Sequence, residues 1–366
     1  MSSHLFTSES VCAGHPDKIC DQVSDAVVDA ALAQDPHSRV AVETLVTADR
    51  VVLAGELTTN AHLDLGDIVQ KQLRRLGYTD QRFGFGEFSP VDIHVHQQSS
   101  EISAGVDQDG AGDQGMMFGF ACTETEELMP LPIVLAHQLA RKIDQVRESG
   151  QLKYLRPDGK TQVTIKYEEG RPVAVEKVVV AVPHQENIPL KQVAHDILDQ
   201  VVGPTLGAYE MTINPAQLIV NGTGIWHIGG PVADTGLTGR KIIVDGYGGY
   251  ARVGGGCFSG KDPTKVDRSG AYAARYIAKK LVAEGLAEKA EVALAYCIGQ
   301  AQPVMKTVET FGTARGSQRV LREFVDQALD TSVRGIITAL DLRRPLYLPT
   351  AAYGHFGRAE FPWEAV

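Results

Sequence analysis

Cysteine is scarce in this sequence, and long apolar runs are absent from it. The five cysteines among 366 residues lie far apart and form no CxxC pair, which argues against a disulfide scaffold and a zinc site and predicts reduced thiols. No apolar run approaches the roughly 20 residues that a membrane-spanning helix needs, and Met1–Glu9 lacks a basic and apolar signal region. We therefore expect a soluble, cytoplasmic protein.

Basic residues are also in deficit, with 35 Lys and Arg against 45 Asp and Glu and a formal net charge of -10. Nucleic acids and anionic membranes select surfaces rich in Lys and Arg, so this balance argues against both as the main partner. Any anionic ligand must then be bound by a local cluster of cations. The length and the 43% hydrophobic content exceed what one core usually spans and predict two or three domains.

One order of predicted elements occurs three times along the chain. Each copy has a helix, a β-hairpin and a second helix, and the hairpins begin at nearly equal intervals, near residues 39, 162 and 291. The first predicted helix starts at Pro16, and the others span Leu63–Leu76, Leu131–Glu148, Leu190–Val202, Val266–Glu284 and Gln318–Leu329. The predicted hairpin strands are Arg39–Thr47, Arg50–Thr58, Gln162–Tyr167, Pro172–Val182, Glu291–Ile298 and Pro303–Thr310.

Short apolar runs flank each copy and predict one further strand on either side. They precede the copies at His4–Thr7, Met116–Cys122 and Lys241–Asp245, and follow them at Val91–Val95, Gln217–Val220 and Gly335–Ala339, the last of which is equally compatible with a helix. The unit is thus β-α-β-β-α-β, three times, an α+β fold whose sheets pack around a shared core. We expect domains at 1–98, 110–226 and 228–366, with terminal strands exchanged between them.

The segment Gly254–Pro263, GGGCFSGKDP, carries the strongest chemical signal. Successive glycines let backbone N–H groups converge on phosphate oxygens, and Lys261 adds a charge. The segment matches part of a Walker A loop, but Asp262 stands where that motif needs Ser or Thr. A glycine turn with a surface lysine is the plainer interpretation. Further cations in this acidic chain favour polyphosphate binding instead: Arg240, Lys241, Lys265 and Arg268.

A second signal is Gly14–Lys18, GHPDK, where Pro16 suits the first position of a helix whose N-terminus offers unpaired N–H groups to an anion. His15 could donate to a phosphate oxygen, and Asp17 could hold Mg²⁺ that also touches phosphates. Aspartates recur at four-residue steps through residues 21, 25 and 29. We interpret Asp25 and Asp29 as part of a solvated acidic face. Glu43 and Glu56 lie in the first hairpin and are candidates for a half-buried site.

Longer motifs resemble one family: FTSESV, GHPDK, GAGDQG, GLTGRKIIVD, GGGCFSGKDP and AYGHFGR are similar to signatures of bacterial methionine adenosyltransferases, the S-adenosylmethionine synthetases. The resemblance covers essentially the whole chain. It implies three domains related by pseudo-threefold symmetry and a homotetramer, a dimer of dimers with active sites between paired subunits. It also implies that methionine sulfur attacks C5′ of ATP and expels tripolyphosphate, which is then hydrolysed to phosphate and diphosphate.

The same resemblance implies roles for individual residues. Asp17 and Asp267 would bind two Mg²⁺ ions, and Glu43 one K⁺. Asp113 would face the forming sulfonium, and Gln98–Gln108 would correspond to a loop that covers the site. Catalysis would also involve His15, Arg240, Lys261 and Lys265; methionine would contact Glu56, Gln98, Asp234 and Lys265; ATP would contact His15, Asp158, Gly159, Lys160, Ile225, Trp226, Asp234, Arg240, Lys241, Cys257 and Lys261.

Two other classes of function are compatible with parts of the sequence. A phosphotransferase with a modified Walker loop would release ADP, whereas a synthetase would release phosphate and diphosphate together with S-adenosylmethionine. A non-catalytic protein of three α/β repeats would explain the architecture but not the convergence of GHPDK with GGGCFSGKDP.

The nucleoside pocket departs from the family pattern, which usually has Gly-Arg-Phe where this chain has Gly224, Ile225 and Trp226. The segment between Val106 and Gly110 is also shorter than in common relatives. Because a cation is lost and the aromatic ring is larger, we predict weaker selectivity for adenine than is usual in the family. Turnover with ATP, GTP, CTP and UTP checks this, and acceptance of ATP alone would contradict it.

Overall fold

Three sheets and the helices that cover them make up the fold, which we describe from a computed structural model for residues 3–97 and 110–366. The strands are β1 (Ser3–Val11), β2 (Arg39–Thr47), β3 (Arg50–Thr58), β4 (Val91–His96), β5 (Gly115–Cys122), β6 (Lys160–Glu168), β7 (Arg171–Ala181), β8 (Leu218–Val220), β9 (Gly236–Leu237), β10 (Lys289–Tyr296) and β11 (Met305–Glu309). The helices are α1 (Pro16–Gln34), α2 (Leu65–Arg75), α3 (Leu131–Glu148), α4 (Leu190–Ile197), α5 (Gly203–Gly207), α6 (Ile242–Asp245), α7 (Val266–Ala283), α8 (Gln318–Ala328) and α9 (Val333–Ala339).

Each sheet contains one strand that comes from a different part of the chain. The sheet orders are β4-β3-β2-β9, β1-β6-β7-β8 and β11-β10-β5. β1 pairs antiparallel with β6, β5 with β10, and β9 with β2. Since each of these strands precedes the helix of one repeat and pairs with the hairpin of another, the three repeats are linked in a ring, and no repeat has a complete sheet by itself.

The hydrophobic core is shared between the repeats, which confirms the predicted α+β architecture. The larger apolar cluster combines buried side chains of α1, β2, β5 and α7, and a second cluster fills the space between α3 and the sheet of β6 and β7. Tyr209, Tyr250 and Tyr353 pack against both clusters. Gly119 of β5 allows α7 to lie close, because a Cβ there would meet the backbone of Ala274 at 1.9 Å. Within 3–97 and 110–366, no helix has the length and apolar character needed to cross a bilayer.

Two of the predicted strands are helices in the structure. Gly335–Ala339 belongs to α9, whose N-cap Ser332 accepts a hydrogen bond from the Gly335 N–H, and whose residues Val333, Ile336 and Ile337 are buried at helical spacing. Lys241–Asp245 forms the short helix α6, and the strand that joins the first sheet is β9, five residues earlier. A short apolar run does not distinguish a strand from a buried helix turn, which explains both errors.

The aspartates of α1 are not a solvated face, so the prediction for Asp25 and Asp29 is wrong. Asp17, Asp21 and Asp25 are at most 2% exposed, and Asp29 is half-buried. Loops between residues 237 and 348 pack against α1, and their backbone N–H groups need acceptors. The four carboxylates supply them, to the N–H groups of Leu237, Gly239, Gly260, Leu346, Tyr347 and Leu348.

Asp25 and Arg268 form a fully buried ion pair whose loss should destabilise the fold. Two parallel hydrogen bonds of 2.6 and 2.8 Å join them, and both side chains are 0% exposed. Asp25→Ala would leave the Arg268 charge and the Gly260 N–H without this acceptor, so we expect the free energy of unfolding to fall by about 3–5 kcal/mol in chemical denaturation. The matched control is Glu323→Ala, which removes the exposed pair with Arg319 and should cost about 0.5 kcal/mol or less. Equal losses in the two variants would contradict this account.

Candidate active site

His15 is the N-cap of α1, and its ring has one buried nitrogen with no partner. The residue is 1% exposed, and its Nδ1 accepts the Asp17 N–H at 3.2 Å. That bond places the proton of the neutral ring on Nε2, which is buried without a hydrogen-bond partner. Burial, together with the ammonium groups of Lys241 and Lys160, lowers the pKa of His15 to about 3. His15 is thus a neutral donor with one N–H left for a ligand.

Asp17 lies in the first turn of α1 and is held by cations. Its Oδ2 pairs with Lys241 Nζ at 2.5 Å, and its Oδ1 lies 3.8 Å from Arg240 Nε and accepts the Leu237 N–H. Burial opposes its ionisation, but the Lys241 and Leu237 hydrogen bonds keep its pKa below the ordinary value. Asp17 is therefore an ionised carboxylate next to two basic side chains.

A second carboxylate–lysine pair lies at the glycine-rich loop. Lys261 Nζ donates to Asp267 Oδ2 at 2.8 Å, and both side chains are largely buried. Desolvation opposes the charge of Lys261, but the attraction of the Asp267 carboxylate raises its pKa. Gly256 must be glycine, since a Cβ there would lie 2.2 Å from the Asp267 carboxylate. The loop thus brings its backbone directly against Asp267.

Asp262 has a structural role that explains why Ser or Thr is missing at this position of the loop. Its Oδ1 accepts the backbone N–H and the hydroxyl of Thr264, and its Oδ2 accepts the Val40 N–H. The same Oδ2 pairs with Lys265 Nζ at 2.5 Å, and the carboxylate is fully buried. Asp262 therefore fixes the loop to β2 and orients Lys265.

Backbone hydrogen bonds join these loops to the edge of β2. Val42 N–H donates to the Gly260 carbonyl, Asp262 N–H to the Val40 carbonyl, and Thr238 N–H to the Thr44 carbonyl. Lys261 consequently lies opposite Ala41 in the ladder. This pairing places its side chain near the first sheet, where the ammonium group attracts the charge of Glu43.

Glu43 and Glu56 share the outward face of the first sheet. Glu43 pairs with Ala54, two residues before Glu56, so the two side chains are diagonal neighbours. Desolvation and the Glu56 carboxylate raise the pKa of Glu43. Glu56 also lies 3.4 Å from His96, measured between Oε1 and Nε2. The half-buried setting predicted for this pair is therefore more open in the structure, where Glu43 is exposed and the Glu56 side chain is 41% exposed.

Asp158 is buried and binds backbone rather than facing an open pocket. Its two oxygens accept the N–H groups of Gly159 and Gly230, at 2.7 and 2.8 Å. Burial raises its pKa to about 6, against the effect of these two bonds. Asp158 thereby fixes the turn at Gly230. The two residues that depart from the family pattern precede this turn. Ile225 is 70% exposed, and Trp226 is half-buried and donates its indole N–H to the Ile228 carbonyl.

The other predicted site residues lie at the surface around these pairs. Asp113 is exposed and close enough to Lys261 to stabilise its charge. Cys257 packs against Gly239, and burial raises the pKa of its thiol, so it is a neutral spacer. Lys160, Asp234 and Arg240 are exposed. Gln98, with the segment to Gln108, lies outside the described residues.

Comparisons with known proteins identify the family to which the chain belongs. The chain matches sequence models for the N-terminal domain (residues 3–100), the central domain (108–226) and the C-terminal domain (228–365) of S-adenosylmethionine synthetase. It is 53% identical over 385 residues to the S-adenosylmethionine synthase of Parafrankia sp. (strain EAN1pec), an alignment that covers 100% of this chain and 97% of the relative. The chain belongs to the S-adenosylmethionine synthetase family. The predicted family and its activity, that of a methionine adenosyltransferase, are thereby confirmed.

Two aspartates that position candidate site residues were not predicted from the sequence motifs. Asp262 orients Lys265, and Asp21 receives the Gly239 N–H next to Arg240. The four-residue spacing on α1 marked Asp21 as one of a row of aspartates, but it did not show that their side chains are buried. For Asp262, the mismatch to the Walker pattern was the signal.

The titration of His15 tests the electrostatics of the site. We expect its ring to stay neutral from pH 8 down to about 4, which ¹H–¹⁵N NMR can follow, with His15→Asn assigning the resonance. Because the folded-state pKa is lower than the unfolded value of about 6.5, the unfolded chain binds the extra proton, and stability falls as the pH drops from about 6.5 towards 3. His15→Asn should therefore lose less stability over this window than the parent. A His15 signal that titrates between pH 6 and 7 would refute this assignment.

Proposed function

We propose that the cations of this site hold the triphosphate of ATP while methionine attacks C5′. The observation that carries the proposal is a buried donor without a partner, His15 Nε2–H, next to Asp17 with its cations Arg240 and Lys241, in a chain of net charge -10. Gly239, beside Arg240, packs against Cys257 of the glycine-rich loop, which carries Lys261 and is followed by Lys265. In the reaction the leaving tripolyphosphate gains one negative charge while the methionine sulfur becomes a positively charged sulfonium. Donors that are already oriented stabilise such charge without reorganising.

Asp17 and Asp267 fit the Mg²⁺ sites that the family resemblance implies, and family membership indicates a metal-dependent enzyme. Among the residues that the structure describes, no group of three or more His, Cys, Asp or Glu side chains could hold a metal. A single carboxylate at each position suits Mg²⁺, which takes its remaining ligands from water and substrate phosphates. When bound, the two ions would neutralise charge on the leaving group. Glu43, which carries a raised pKa and faces outward, would hold K⁺.

The bond changes need no general base. A lone pair of the neutral methionine sulfur forms the S–C5′ bond, the C5′–O bond breaks, and its electron pair leaves with the tripolyphosphate. Lys265 would bind methionine and phosphate together, since Asp262 orients its ammonium group. Glu56 and Asp234 would bind methionine, as would Gln98. Asp113, exposed beside Lys261, would stabilise the sulfonium. In-line orientation of sulfur and carbon can lower the barrier by roughly 7 kcal/mol or more.

The nucleoside end of ATP would lie at the turn that Asp158 fastens. Gly159 and Lys160 follow Asp158 directly, and Ile225 and Trp226 precede the turn. We propose that Asp158 acts through the Gly230 N–H, holding these residues in position, rather than by contacting ATP. Arg240, which is half-exposed beside Asp17, would polarise the bound tripolyphosphate for its hydrolysis to phosphate and diphosphate.

We further propose a homotetramer, a dimer of dimers with the sites between paired subunits. Apolar side chains on the sheets support this: Leu5 is 58% exposed, Ile93 46% and Met116 56%. These residues belong to β1, β4 and β5, one in each sheet. A second subunit against these faces would remove exposed apolar surface from water. All five cysteines are unpaired, which supports the proposed cytoplasmic location.

One incubation tests the proposed function. With ATP, methionine, Mg²⁺ and K⁺, the parent protein should form S-adenosylmethionine, phosphate and diphosphate in equal amounts. Asp17→Asn and Lys265→Ala should each lower kcat by about 100-fold or more, since each removes a charge aimed at the reacting groups. Lys191→Ala, an exposed lysine of α4, is the matched control and should retain parental activity. Release of ADP, or parental activity in all three variants, would contradict the proposal.

A further inference from the structure

A buried cluster of charged side chains lies between α1, α6 and α7. Its members are at most 1% exposed and are Lys18, Asp21, Asp25, Asp245 and Arg268. Lys18 Nζ donates to Asp21 Oδ2 at 2.8 Å and to Asp245 Oδ1 at 2.5 Å. Arg268 donates to both oxygens of Asp25. None of the five contacts ATP, methionine or a metal in the proposed mechanism, so the cluster is separate from the proposed ligand contacts.

Carboxylates outnumber cations in this cluster. In the part of the chain that the structure describes, it holds three carboxylates and two cations, so full ionisation leaves one negative charge uncompensated in the interior. Desolvation opposes the charge of Lys18, but the Asp21 and Asp245 carboxylates raise its pKa, so its ammonium group stays charged. A buried group with an uncompensated charge is neutralised by a change of protonation. The charge balance therefore requires one additional proton.

Asp245 is the carboxylate with the weakest compensation. Asp21 and Asp25 each accept a backbone N–H in addition to the hydrogen bonds from their cation. Asp245 shares its cation, Lys18, with Asp21. Burial raises the pKa of Asp245 to about 7, although the charge of Lys18 opposes this effect. The additional proton is therefore expected on Asp245.

A buried histidine nitrogen without a partner faces this carboxyl group. His355 is 0% exposed, its Nδ1 is hydrogen-bonded to the Tyr272 hydroxyl at 2.8 Å, and its Nε2 has no hydrogen-bond partner. Nε2 lies 3.9 Å from Asp245 Oδ1, and the Asp245 carbonyl accepts the His355 N–H. A shift of about 1 Å would bring the two side chains within hydrogen-bond distance. A protonated Asp245 thus supplies the donor that His355 Nε2 lacks.

The other groups around this pair do not compensate the charge. Those that face it are Lys18, Asp21 and Asp25 of α1, His137 of α3, Arg268 and Tyr272 of α7, Arg358 of the C-terminal segment, and the uncharged Ser8 and Ser10 of β1. Burial lowers the pKa of His355, and it lowers that of His137 to about 3, so both rings are neutral. Burial raises the pKa of Tyr272 to about 12, and Arg358 pairs with Glu360 at 2.7 Å.

We propose that Asp245 and His355 form a buried proton site, in which Asp245 holds a proton below neutral pH and releases it to solvent as the pH rises through neutral. Release leaves a net negative charge between α1, α6 and α7, so the site makes the stability of the fold sensitive to pH. The unfolded chain binds this proton only below the ordinary aspartate pKa of about 3.9. The stabilisation is therefore complete below about pH 4 and is lost as the pH rises through about 7.

Infrared difference spectroscopy between about pH 5.5 and pH 8.5 tests the site in the intact chain. We expect a carboxylic acid C=O band that disappears at the higher pH, shifts when the aspartates carry ¹³C, and is missing from Asp245→Asn. Asp158, whose pKa burial raises to about 6, should contribute a second such band, which Asp158→Asn identifies. His355→Gln changes the acceptor of the acid O–H and should shift the Asp245 band, so the assignment can be made even if Asp245→Asn does not fold.

Glu364→Gln is the matched control, because Glu364 is also a buried carboxylate but pairs with two cations, Arg275 and Lys279. This variant should leave the Asp245 band unchanged. In chemical denaturation, the unfolding constant of the parent divided by that of Asp245→Asn should rise about tenfold or more from about pH 5 to pH 8, because only the parent loses the proton. The same ratio for Glu364→Gln should not change with pH.

Three results would overturn the proposal. The first is a parent spectrum whose only titrating acid band is that of Asp158, and the second is an additional band that persists in folded Asp245→Asn. The third is a ¹⁵N NMR signal of imidazolium from His355 at about pH 5.5, which would place the proton on the ring. All these outcomes are independent of whether the chain adenosylates methionine.

Discussion

The structure depends most on four carboxylates that one helix buries at four-residue steps. Asp17, Asp21, Asp25 and Asp29 project from α1 and accept hydrogen bonds from backbone N–H groups of three loops between residues 237 and 348. Burying a charged carboxylate costs several kcal/mol unless charges and hydrogen bonds compensate. Cations compensate three of them: Lys241 pairs with Asp17, Lys18 with Asp21 and Arg268 with Asp25. These hydrogen bonds therefore fix the position of each loop along the axis of α1.

This arrangement connects the fold with the proposed chemistry. The N-terminus of α1 carries His15 and Asp17, and the loops that the next carboxylates hold carry Arg240 and Lys261. Those loops also extend the edge of β2 through backbone hydrogen bonds. The elements that hold the first and last repeats together therefore also bring together the residues of the proposed anion site, which are more than 200 positions apart in the chain. A site built in this way has its donors oriented before a substrate arrives.

The sequence predicted the elements with strong periodicity and the residues within contiguous motifs. The predicted hairpin strands Arg39–Thr47 and Arg50–Thr58 have the same bounds in the structure. Their apolar residues recur at every second position, which favours a strand over a helix. It did not predict α6 and α9, where short apolar runs carry no information on period. The solvated interpretation of Asp25 and Asp29 failed for a different reason. Burial of an acidic side chain depends on N–H groups that are distant in sequence, and no local pattern in α1 encodes them.

The central claim is that the carboxylates of α1 organise the anion site through the loops they hold. Its most direct test is the affinity for inorganic tripolyphosphate in Asp21→Ala and Asp29→Ala, each of which removes the oxygen that accepts the loop N–H groups. Asp21 holds Gly239, next to Arg240, whereas Asp29 holds Leu346–Leu348, which carry no site residue. We predict that Asp21→Ala weakens binding about tenfold or more while Asp29→Ala leaves it within twofold, although both lower the melting temperature. Parental affinity in folded Asp21→Ala would contradict the claim.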